Sequence, residues 1–91
     1  MEAQAFEAQL KADGYSEIET KDVPAKPENN VHTHDFSARG LVLDGAFIVR
    51  LDGHQVTFGL GEVFDVPEGV EHTEQVDENG ARLLTGKKYE D

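Results

Sequence analysis

From residue 40 onward the chain is a succession of short apolar runs cut by glycine turns, and this pattern constrains the fold more than any other feature. Leu41-Val42-Leu43 meets Asp44-Gly45, Phe47-Ile48-Val49-Arg50-Leu51 meets Asp52-Gly53, and Val56-Thr57-Phe58 follows. Asp-Gly between apolar runs is a hairpin signal, because both residues tolerate positive φ. Strand side chains alternate between faces, so Phe47, Val49 and Leu51 share one face, and Val56 and Phe58 are expected to continue the buried layer. Gly59 and Gly61 bracket another turn, residues 62–66 read as a short strand ending at Pro67, and Asn79-Gly80 is a further turn signal. Residues 82–85 make a last strand with Leu83 or Leu84 inward, followed by Gly86 and a polar tail. About seven or eight short strands with such turns predict an all-β closed antiparallel barrel or double sheet.

The N-terminal part differs in character. Residues 2–12 are rich in alanine, glutamate, glutamine, leucine and lysine, all good helix formers. Ala3, Phe6 and Leu10 fall on one helical face, and Gly14 is a natural stop. So short a helix needs a surface to lie on, a barrel face or a neighbouring chain. Residues 15–23 read as a polar edge strand with Ile18 as its core residue, and Pro24 and Pro27 then break regular structure.

Chemistry concentrates in three histidines. His32 and His34 sit two residues apart, and on a strand both imidazoles project from one face. His72 follows the Pro67-Glu68-Gly69 turn, and a fold that places it beside the first pair gathers three imidazoles around one point. Neutral imidazole suits iron, nickel, copper and zinc. His54 lies just past the Asp52-Gly53 turn and is expected at the surface. Arg39 and Arg50 are expected to pair with surface carboxylates rather than with a substrate. No serine sits in a nucleophile-elbow context.

The two histidine stretches resemble the metal-binding motifs of the cupins. The family's first motif is His-x-His followed by a glutamate and then a glycine; His32, His34 and Gly45 match it, while Ala38 stands where the glutamate falls. Its second motif is a glycine, then Pro-x-Gly, then a histidine; Gly61, Pro67, Gly69 and His72 match it in full. The asparagine often found beyond that histidine is Val76 here. The resemblance covers residues 28–86. It implies a small double-stranded β-helix of the jelly-roll type, a cupin-2-like barrel over residues 15–91 with residues 1–14 as a helical segment. It also implies a divalent metal on His32, His34 and His72 with no carboxylate ligand. The three-histidine cupins it is similar to include thiol dioxygenases and a diketone-cleaving dioxygenase. The resemblance therefore implies iron(II), with nickel(II) or zinc(II) as alternatives, and a dioxygenase acting on a small molecule. Other cupins bind or sense a small ligand without turning it over, with or without metal, and that reading stands beside the first.

Charge narrows the partners. The 91 residues carry 19 acidic and 8 basic side chains, a formal charge of -11. Such a surface repels phosphate backbones and anionic membranes, so neither nucleic acid nor a membrane is expected as a partner. A core this small favours a homodimer, and a purely structural homodimer is a third reading of the chain. There is no cysteine, which excludes disulfides and thiolate chemistry and is compatible with a cytoplasmic location. The first residues lack the basic-then-apolar pattern of a signal peptide, and no apolar run approaches the about 18 residues of a spanning helix.

Overall fold

The computed structural model describes residues 1–89. The last two residues of the polar tail expected after the final strand, 90 and 91, lie outside the described residues. One helix, α1 (Ala3–Ala12), precedes seven strands: β1 (Ser16–Val23), β2 (Ser37–Gly45), β3 (Phe47–Leu51), β4 (His54–Phe58), β5 (Val63–Val66), β6 (His72–Gln75) and β7 (Ala81–Lys88). They form two antiparallel sheets, one in the order β1-β7-β2-β5 and the other in the order β4-β3-β6. The second sheet is extended past β6 by two isolated bridges, Lys26 to Val76 and His32 to His72.

Why the β2 and β7 apolar runs do not alternate with polar residues is explained by what lies on each side. Val42 and Leu83 face the second sheet, where they pack with Phe47, Val49, Phe64, Val66, Val76 and Ala81. Leu41 and Leu84 face the other way and pack under Phe6 and Leu10 of α1. A strand covered on both faces reads as a continuous apolar run. Both Leu83 and Leu84 are therefore buried, in different cores. Phe6 and Leu10 are 1% and 0% exposed, and burial of each stabilises the docked helix by about 1.5–3 kcal/mol. The helix starts where the Glu2 carboxylate accepts from the amides of Gln4 and Ala5. It ends at Asp13, with Gly14 in the left-handed region at φ +86°. Arg39 ties this end to the sheet, donating to Asp13 and Asp65 at 2.8 Å each, as the charge pairing expected of it requires.

The Asp-Gly turns divide into two kinds. Asp52-Gly53 closes a two-residue hairpin between β3 and β4, with φ of +49° and +78°. Asp44-Gly45 does not make a hairpin: β2 pairs with β5 and β7, while β3 pairs with β4 and β6. This turn instead carries the chain from one sheet to the other. Gly45 is needed there because a Cβ would collide with the carbonyl oxygen of Gly80. Asn79-Gly80 likewise leads from β6 in one sheet to β7 in the other. A second departure is Val56, which stays 47% exposed because β4 is an edge strand at the margin of the opposing layer. β1 is an edge strand, as its polar sequence predicts.

Candidate metal centre

The registers that set the core also set the site. In the second sheet Leu51 stands opposite His72 and Val49 opposite Glu74. Cross-strand partners share a face, and Val49 is core, so His72 and Glu74 point inward. Thr73, between them, points outward and donates to Glu28 at 2.6 Å. On its other side His72 is bridged to His32 by reciprocal backbone hydrogen bonds of 3.0 and 3.1 Å. His34 follows two residues later, and its carbonyl accepts from the Gly69 amide at 3.1 Å. The Pro67-Glu68-Gly69 turn is thus fastened to the His-x-His segment.

The result is a triangle of imidazoles with ring centroids 4.3 to 4.9 Å apart. His34 also stacks on Phe36 at 4.6 Å. One donor atom from each of His32, His34, His72 and Glu74 lies within 4.8 Å of all the others. Donors held about 2.1 Å from one ion stand about 3.4 Å apart in a tetrahedral site and about 3.0 Å apart at cis octahedral positions, so closing on a metal contracts the widest pairs by up to about 1–2 Å.

Hydrogen bonds define two of the tautomers. The Nδ1 atoms of His32 and His72 lie 2.8 and 3.1 Å from the carbonyl oxygens of Asn30 and Val70. A carbonyl only accepts, so each Nδ1 carries the proton and each Nε2 keeps a lone pair. Yet His72 Nε2 lies 3.3 Å from Glu74 Oε2, and a carboxylate is also an acceptor. Two lone pairs at this separation, around a histidine 2% exposed, call for a cation or an additional proton between them. His34 titrates below its ordinary value, through burial first and then the positive fields of His72, His32 and Lys87, opposed by Glu74. It is therefore held in the neutral form that binds metal.

Glu74 changes the reading of the donor set. The cupin motif places its carboxylate where this chain has Ala38, so the resemblance implies a site with none. The structure supplies one from another strand position. The signal was present in His72-Thr73-Glu74, since two residues apart on a strand means one face, the same rule that singles out His32 and His34. Ala38 lines a cavity of about 330 Å³ between the sheets, together with His34 and Glu74. His54 lies at the exposed start of β4, away from the cluster.

Comparison with known proteins agrees with the architecture. A cupin protein from Bacteroides fragilis superposes with a TM-score of 0.62 at 15% identity, covering 79% of this chain and 64% of that one. An RmlC-like cupin from Shewanella frigidimarina gives 0.62 at 27% identity, covering 79% and 65%. A cupin-2 domain-containing protein from the same organism gives 0.61 at 19% identity, covering 93% and 92%. The chain spans half to about two thirds of the length of the first three such structures. No family model and no curated protein matches it. The fold is that of the cupins, and among the described residues three histidines and one glutamate form a cluster capable of coordinating a metal. Among the described residues no helix is long and apolar enough to cross a membrane.

Proposed function

We propose that this chain is a metal-dependent cupin that holds one divalent transition ion on His32, His34, His72 and Glu74 and acts on a small molecule in the adjoining cavity. The observation that carries the proposal is the cluster itself, in which one donor atom from each of His32, His34, His72 and Glu74 lies within 4.8 Å of all the others. Imidazole with carboxylate suits iron(II), nickel(II) and zinc(II). Iron(II) is the first choice, since bound there it would supply the redox and Lewis-acid chemistry of a dioxygenase. The chain's own contribution is to fix the tautomers through Asn30 and Val70, to hold His34 neutral, and to shelter the reacting molecule between Phe36, Phe47 and Phe64. This reading takes the two sheets as the two sides of a closed barrel.

Anaerobic titration of chelator-stripped, untagged protein with iron(II), nickel(II) and zinc(II) tests the ion. A one-to-one stoichiometry lost in His72→Ala is expected; surface binding unaffected by that change would overturn the site. Oxygen uptake on a panel of thiols and diketones then tests turnover.

A second reading, a cupin that binds its ligand without turnover, is favoured by Lys26, whose ammonium lies 3.6 Å from Glu74 Oε1 and competes with a cation for that carboxylate. Stoichiometric iron with no oxygen uptake across the panel would favour it.

A further inference from the structure

The proposed metal centre opens onto a cavity whose charge runs against that of the molecule. The chain carries 8 basic residues against 19 acidic ones, yet Lys21, Lys26 and Lys87 all line this cavity of about 330 Å³. Register explains how they come to face it. Lys87 on β7 stands opposite Ala38 on β2, and Lys21 on β1 stands opposite Leu83 on β7. Ala38 and Leu83 are inward-facing, so both lysines start from the inner face. The Lys87 ammonium lies 4.6 Å from the centre of the Phe36 ring, and that ring is stacked on His34. The acidic residues at the cavity have partners of their own: Asp22 pairs with Arg82 at 2.8 Å, Glu74 lies between His72 and the Lys26 ammonium, and Glu17 stands 3.9 Å from the Lys87 ammonium, a loose exposed pair that an incoming carboxylate can displace. Beside Lys21 and Lys87 on the same sheet the lining is apolar, formed by Ala38, Phe64 and Leu83, and Phe47 faces them from the second sheet.

We infer that the cavity selects a small organic carboxylate with an apolar body, its carboxylate drawn in by Lys87 and Lys21 and its body lying against Phe47, Phe64 and Leu83. This deepens the metal-site proposal by naming the class of small molecule, and rests on it only for the ligand's approach to the ion. A low-dielectric cleft lined by one sign of charge concentrates the opposite sign. Ala38 contributes by omission, because a glutamate at that position would stand beside Lys87 and neutralise it.

Calorimetric titration of the full chain with benzoate and with its neutral isostere benzamide tests this, in zinc-loaded and metal-free protein. Benzoate is expected to bind at least about tenfold more tightly than benzamide, with the preference shrinking as salt is raised. Lys87→Met is expected to weaken benzoate at least about fivefold while leaving benzamide and zinc affinities within about twofold. Lys21→Met, on an exposed edge strand, should move in the same direction, and Ala38→Glu should abolish the preference. Equal binding of the two compounds, binding of neither at millimolar concentration, or a benzoate affinity indifferent to both lysine changes would overturn the inference. Zinc titration of the same samples reads the metal site separately. Tight zinc without a benzoate preference overturns only this inference. A benzoate preference in a chain that binds no zinc supports it and overturns only the metal assignment.

Discussion

Replacing His72 by alanine removes the buried donor on which the other three converge. Metal affinity is expected to fall at least about tenfold, consistent with losses of that size even for groups that only support a ligand. His54→Ala, at an exposed hairpin end, is expected to leave affinity unchanged in the same calorimetric series. Glu74→Gln keeps the shape but removes the charge, so it should weaken metal binding while stabilising the metal-free chain, because the acceptor facing His72 Nε2 becomes able to donate. Denaturant midpoints of the metal-free proteins check the second half of that statement. His34 provides a pH dependence with a definite sign. Its folded-state pKa lies below its ordinary 6.5, so as pH falls the unfolded chain takes up the proton first. The associated stability is complete above about pH 6.5 and is lost as pH falls through the lower folded value. Urea midpoints measured across that range should drop in the wild type, and the drop should be smaller in His34→Gln.

At the scale of elements, two glycines separate collision from conformational strain. Gly40 lies opposite Phe64 in the β2–β5 ladder, and a Cβ there would run into the Phe64 ring. The ring is itself packed against Phe47 at 4.7 Å and has little room to withdraw. Gly40→Ala is expected to destabilise the fold by about 1–3 kcal/mol through overpacking. Gly53, in the β3–β4 hairpin, has open space around a Cβ but a φ of +78°. Gly53→Ala should therefore cost only the left-handed strain, about 1–2 kcal/mol. Denaturant unfolding of the two variants should show a loss of near-core cooperativity for the first and an unchanged m-value for the second. Phe6→Ala would lift α1 from Leu41 and Leu84, at a cost of about 3–5 kcal/mol.

For the molecule as a whole, metal binding and stability are linked. An ion that binds the folded chain and not the unfolded one stabilises it by about 2.7 kcal/mol at a hundredfold excess over Kd. Zinc is accordingly expected to raise the melting temperature of the wild type by about 10 °C or more. The formal charge of -11 attracts any cation to the surface, so the comparison belongs at about 0.15 M salt, where exposed charges more than about 8 Å apart are screened. A melting temperature that rises equally in wild type and His72→Ala would assign the effect to that surface charge and not to the four inward side chains.

The sequence by itself determined the helix, the strands other than β6 and the shared face of the histidine pair, because each follows from local periodicity: two residues per repeat for extended chain, three to four for α1; the short polar run of β6 carries no such pattern. The sequence also determined the Pro67-Glu68-Gly69 turn, whose backbone preferences are local. Which Asp-Gly turn closes a hairpin was decided by tertiary structure, since Asp44-Gly45 and Asp52-Gly53 are alike as dipeptides and differ only in whether the flanking strands join one sheet or two. Glu74 as a member of the metal cluster was half legible. Its phase relative to His72 could be read from the chain, but the face that carries them became inward only through the pairing of β6 with β3. Lys87 was not legible at all. A lysine near the end of an acidic chain reads as a solvated charge, and only the β2–β7 register puts it opposite Ala38, inside the cavity.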